Sequence, residues 1–230
     1  MDDRLTPSWS PIEALPVALL AYLGTIVVGT LFGLLLGRDL GLVLAQVALG
    51  VLLAVVTVTW VRSRHGAWRG PLGLGERPRA AELWYGAGAG LAIFAITTLV
   101  VAPLFFALVS FVTGEPVVAP QQEVLPEEPA SLHIAITGVA VILAAPAGEE
   151  LFFRGFLFGG LRRRMGFWTA ALISSAVFAF THYLPLLMPL LFVVGLGLAW
   201  VYERRGSLWP CMAAHAAFNV VGYVLIVQRA

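Results

Sequence analysis

Residues 134–161 read IAITGVAVILAAPAGEELFFRGFLFGGL, an apolar run interrupted by three charged residues, Glu149, Glu150 and Arg154. A run of this length exceeds the roughly 20 apolar residues that a helix needs to cross a ~30 Å hydrocarbon core. Ionisable groups inside such a run are costly, so each asks for a partner or a task. On a helix, Glu150 and Arg154 stand at i and i+4 and pair on one face. Glu149 points about 100° away, over Phe153, and has no cation from its own helix. One carboxylate is therefore tied up, and the other is left in an apolar setting where it takes up a proton readily, as a general base must.

The rest of the chain extends this reading. Of 230 residues, 60% are hydrophobic and 12% charged, with a mean hydropathy of +0.90. Soluble domains run nearer half apolar and a quarter charged. Seven apolar runs are candidate spans: 15–36, 41–61, 84–112, 132–153, 167–184, 186–203 and 208–228. The fold expected is all-α, a polytopic membrane bundle of about seven transmembrane helices. Pro146 should kink or break the fourth run, with the helix restarting behind it and running on towards Arg164. Pro185 and Pro189 mark the turn from the fifth into the sixth. The chain starts Met1-Asp2-Asp3, without a basic leader or small-residue cleavage site, so the first run reads as a retained span. The single cysteine, Cys211, reads as packing. The net charge of +1 points to no partner, nucleic acid included.

All 14 basic residues apart from histidine are arginines, and they orient the bundle, because basic residues gather on the cytoplasmic side. Arg62, Arg64, Arg69, Arg77 and Arg79 lie between the second and third runs. Arg162, Arg163 and Arg164 follow the fourth, and Arg204 and Arg205 follow the sixth. The loop 113–131 carries Glu115, Glu123, Glu127 and Glu128 and no arginine. Placing the arginine groups inside, with Arg4, leaves only Arg38 and Arg229 outside. The N-terminus is then cytoplasmic and the C-terminus external. The Pro- and Glu-rich loop divides a three-span region, 1–130, from a four-span region, 131–230. No internal repeat is evident.

Two further clusters lie in the second region. Phe178 and His182 share a face at the far end of the fifth run, and His215 and Asn219 share one early in the seventh. At ~1.5 Å rise per residue, Glu149, His182, His215 and Asn219 all fall roughly 15 to 22 Å from the basic end. They form one layer near mid-membrane, which favours a shared site over unrelated structural residues. Glu149 with His182 could polarise a water, and His215 with Asn219 could donate to a developing oxyanion. That equipment suits amide hydrolysis without a covalent intermediate. There is no GxSxG elbow and no HExxH pair. Ser174 and Ser175 read as packing residues. A metal held by Glu149, His182 and His215 stays stereochemically open. A proton-coupled transporter is a rival reading, weakened by the lack of repeat symmetry.

At these clusters the chain resembles the CPBP family of intramembrane proteases, which includes the CAAX-prenyl endopeptidases and bacteriocin-processing enzymes. The family pattern EExxxR, FxxxH, HxxxN/D is met by Glu149 to Arg154, Phe178 to His182 and His215 to Asn219, in order, within about 131–230. The resemblance implies a glutamate-dependent endopeptidase without a metal or other cofactor, acting on a peptide or protein in or at the membrane. It implies Glu149 as general base assisted by His182, an oxyanion site of His215 and Asn219, and support from Glu150, Arg154 and Phe178. It leaves open a member that serves as a non-catalytic immunity or scaffold protein.

Overall fold

A computed structural model describes residues 7–75, 77–117, 131–182 and 184–228. Glu123, Glu127, Glu128, Arg4 and Arg229 lie outside the described residues. No strand occurs among the described residues, which form seven helical rods. They are α1 (Ala14–Leu36), α2 (Arg38–His65), α3 (Ala80–Thr113), α4 (Ser131–Arg162), α5 (Phe167–Phe180), α6 (Met188–Arg205) and α7 (Leu208–Val227). A 3-10 turn, Pro11–Glu13, leads into α1. Five rods, α1 to α4 and α7, are long and apolar enough to cross a membrane, while α5 has 14 residues and α6 has 18. Their outward faces are apolar, with Leu34 and Phe111 more than four-fifths exposed. Lipid satisfies such surfaces where water would not.

Two of the expected boundaries change. The fourth helix runs on past 153 as expected, but it does not break at Pro146. It runs unbroken to Arg162, because a π-helical turn at Ala140–Ala144 precedes the proline and loosens the register where its missing N–H falls. The same device carries α3 through Pro103, behind a π turn at Thr97–Val101. The fifth helix ends at Phe180, not 184. Thr181 Oγ1 and His182 Nδ1 both bond the carbonyl of Phe178, at 2.8 Å each, replacing the next helical turn with side-chain caps. His182 therefore sits in the turn beyond α5.

The helices pack at glycines where backbones touch. A Cβ on Gly148 would lie 2.0 Å from the carbonyl oxygen of Gly50, which fixes α4 against α2. One on Gly90 would lie 2.0 Å from that of Ala214, which fixes α3 against α7. The N-terminal helices thus share an interior with the C-terminal ones.

One end of the bundle is tied together by polar contacts. Arg162 grips Glu203 in a bidentate pair at 2.9–3.1 Å, and Arg205 pairs with Glu82. Trp60 Nε1 donates to Glu13 at 2.9 Å, and Leu208 N–H to the Gly73 carbonyl at 2.9 Å. Gly73 has φ +79°, and a Cβ there would also meet the Tyr202 ring, so glycine is required. This turn seats Leu72, wholly buried, beside Gly155. All seven tryptophans of the chain (9, 60, 68, 84, 168, 200 and 209) lie at this same end, in the first or last turns of helices or next to them. A tryptophan belt marks the level of lipid headgroups.

Candidate active site

The centre of the site is a second, longer π-helical stretch, Glu150–Phe158, within α4. Every residue in it is buried. Its loosened register leaves carbonyls that other elements reach. Ser174 Oγ on α5 donates to Phe153 O at 3.0 Å, and Trp9 Nε1, from the segment before α1, donates to Phe156 O at 2.8 Å. Arg163 and Arg164 bond back to the carbonyls of Pro7 and Trp9. The stretch is clamped from both sides.

Within it, Arg154 Nη1 donates to Glu150 Oε1 at 2.9 Å, with both side chains inaccessible to solvent. Arg154 Nη2 reaches the Gly195 carbonyl on α6 at 3.3 Å, and its guanidinium lies 4.5 Å from the centre of the Phe178 ring. The reach to Gly195 depends on close packing there, since a Cβ on Gly195 would lie 2.8 Å from Cβ of Ser175. The i,i+4 ion pair expected from the sequence is thus present, and Ser174 and Ser175 do pack at helix contacts.

His215 reaches both glutamates. Its Nδ1 donates to Glu150 Oε1 at 2.8 Å, and its Nε2 faces Glu149 Oε2 at 3.8 Å. A carboxylate only accepts, so the proton of this first contact sits on Nδ1. The sequence placed His215 opposite Glu149 but gave no sign of its bond to Glu150, 65 residues away in the chain. Glu149 is nearly buried, and its Oε2 has no hydrogen-bond partner; neither has Oε2 of Glu150. A buried carboxylate oxygen left uncommitted is rare in a purely structural role.

His182 enters from the other side. Its ring packs edge-on against Phe178, with centres 4.7 Å apart, and Phe178 in turn packs on His215 at 5.8 Å. Because the Phe178 carbonyl only accepts, His182 Nδ1 carries a proton, and in the neutral ring Nε2 is left as an acceptor. Asn219 donates through Nδ2 to the carbonyl of Val141 on α4, at 2.7 Å. Cys211 is buried with its thiol on the Leu198 carbonyl at 3.5 Å, as packing predicts. No group of three or more His, Cys, Asp or Glu side chains able to hold a metal ion converges among the described residues. Trp9, Gly195 and the Ser174 bond were missed by sequence reasoning. The gathering of all tryptophans at one end was the one available signal, and it concerned Trp9 alone.

The fold and this cluster define a polytopic helical membrane protein with a buried Glu–Glu–Arg–His centre. Residues 131–221 match the family described as type II CAAX prenyl endopeptidase Rce1-like. Among curated proteins, the chain is 33% identical over 86 residues to the "Putative membrane peptidase YdiL" of Bacillus subtilis (strain 168), covering 37% of this chain and 34% of that one. It is 28% identical over 131 residues to the UPF0177 protein YxdF of Lactococcus lactis subsp. lactis (strain IL1403), covering 56% and 66%. The chain thus spans about a third of the length of the first and about two thirds of the second. No solved structure matches.

Proposed function

We propose that this chain is an intramembrane endopeptidase that hydrolyses a peptide bond of a membrane-associated protein or peptide, with Glu149 as general base. The observation that carries the reading is Glu149 itself. It is nearly buried, its Oε2 is uncommitted, and His215 Nε2 stands 3.8 Å from that oxygen. Arg154 offsets the charge of Glu150, so a proton taken from water by Glu149 has His215 beside it as a relay towards the leaving amine. His182, with Nε2 as acceptor, orients the attacking water from the Phe178 side. A proton passed from Glu149 to Nε2 makes the His215 ring, already protonated at Nδ1 against Glu150, an imidazolium that donates from Nε2 to the developing oxyanion in a site with little water to screen it. Asn219 acts as a positioning residue that holds α7, and with it His215, against α4.

The orientation with the arginine-rich end in the cytoplasm accompanies this reading, since basic residues gather on that side. Purified full-length protein in lipid, incubated with a peptide library, should yield discrete cleavage products by mass spectrometry. His182→Ala should slow turnover about 10²- to 10⁴-fold, the usual worth of general acid–base assistance. Cleavage at the wild-type rate in His182→Ala would remove His182 from the mechanism, and absence of any cleavage would favour a scaffold role.

A further inference from the structure

The tied end of the bundle holds a cavity of about 830 Å³, walled by the loop before α3, the ends of α4 and α6 and the start of α7. Six arginines line it: Arg77, Arg79, Arg162, Arg163, Arg204 and Arg205. Among the described residues only two carboxylates line it, Glu82 and Glu203, and each is already engaged. Arg162 holds Glu203 and Arg205 holds Glu82. Two of the other guanidiniums have contacts that leave their charge uncompensated. Arg163 donates to the Pro7 carbonyl, and Arg204 lies 5.1 Å from the centre of the Trp200 ring. The start of α7 adds little attraction of its own, because its first N–H groups are spent on the Gly73 carbonyl and Ser207 Oγ. The excess charge is that of the arginines.

We propose that this cavity binds a phosphate-bearing anion, and that its source is the headgroup of an anionic membrane lipid. Guanidinium forks match phosphate oxygens in bidentate geometry, and basic pockets between helix ends suit such headgroups. The level is right for a headgroup, because the tryptophan belt surrounds this end, with Trp209 in the cavity wall and Trp200 beside Arg204. A zwitterionic headgroup would bring its own cation against the same arginines. The site is separate from the Glu149 cluster and does not depend on the peptidase reading.

The test is a titration of the thermal midpoint of the full chain, delipidated in neutral detergent, with phosphatidylglycerol, phosphatidylcholine or inorganic phosphate. Phosphatidylglycerol should raise the midpoint saturably, and the other two should not at equal concentration. Arg77→Gln with Arg204→Gln, both exposed positions, should weaken the apparent affinity for phosphatidylglycerol roughly thirty-fold. Arg77→Lys with Arg204→Lys should lose less than the glutamine pair, because the charge stays while the bidentate fork goes, and this shows that the loss is not one of folding. An equal response to phosphatidylcholine, or a wild-type response in the glutamine pair, overturns the site. A full response to inorganic phosphate alone overturns the lipid as its source.

Discussion

Asn219 Nδ2 lies 2.7 Å from the carbonyl oxygen of Val141, an acceptor that the α4 backbone leaves without its donor. In the π turn the N–H of Ala145 bonds Ala140, five residues back. The next N–H in that register would serve Val141, but residue 146 is proline and has none. An unsatisfied carbonyl inside a membrane costs several kcal/mol, so the bond from α7 completes α4. The proline, the π turn and the asparagine form one unit, and it sets the height of His215 against Glu149.

The first prediction is a coupling. Asn219→Ala should destabilise the protein by about 1–3 kcal/mol, the cost of orphaning a buried acceptor. In a Pro146→Ala background, which restores an N–H to α4, the same change should cost clearly less. Equal costs in both backgrounds, measured by reversible unfolding in detergent, would disprove the link.

Glycine contacts set the second. Gly148→Ala drives a methyl group into the Gly50 carbonyl and should lower the thermal midpoint and displace the neighbouring Glu149, with loss of cleavage. Gly33 has open space where a Cβ would go, so Gly33→Ala should leave both unchanged.

Trp9 carries the third. Trp9→Phe keeps an aromatic ring but removes the Nε1 donor from the Phe156 carbonyl, at a cost of about 1–3 kcal/mol. Because Phe156 belongs to the same π stretch as Glu150 and Arg154, hydrogen exchange in that stretch should rise in the variant. Unchanged protection there would show that Trp9 only packs.

The fourth concerns the ion pair. Arg154→Met leaves Glu150 buried without its cation and should cost about 3–5 kcal/mol. Arg154→Met combined with Glu150→Gln should recover part of that loss in the thermal midpoint. If the double variant is no more stable than Arg154→Met, the pair is not the source of the loss.

Much of this architecture follows from local pattern. Apolar run length located all seven helices, and i,i+4 spacing paired Glu150 with Arg154 before any tertiary information entered. The π turns were not legible, because one extra residue per turn leaves no mark in apolar periodicity, and proline alone suggested a break. The end of α5 was placed four residues late, because the competition of Thr181 and His182 for the Phe178 carbonyl looks like more helix in the sequence. The depth count brought Glu149 and His215 to one layer. The bond from His215 to Glu150, and that from Asn219 to Val141, depend on how α7 is rotated against α4. That rotation follows from how α4 packs on α2 and α7 on α3 at their glycine contacts, and no single helix encodes it.

The division of labour between adjacent glutamates is tested most directly by comparing Glu149→Gln with Glu150→Gln for both thermal midpoint and turnover of one identified peptide substrate. Glu149→Gln should keep the wild-type midpoint and lose at least about 10³-fold in turnover, near the middle of the range for general-base removal. Glu150→Gln should lower the midpoint, since Arg154 and His215 both lose their charged acceptor. Turnover within tenfold of wild type in a folded Glu149→Gln protein would contradict the account.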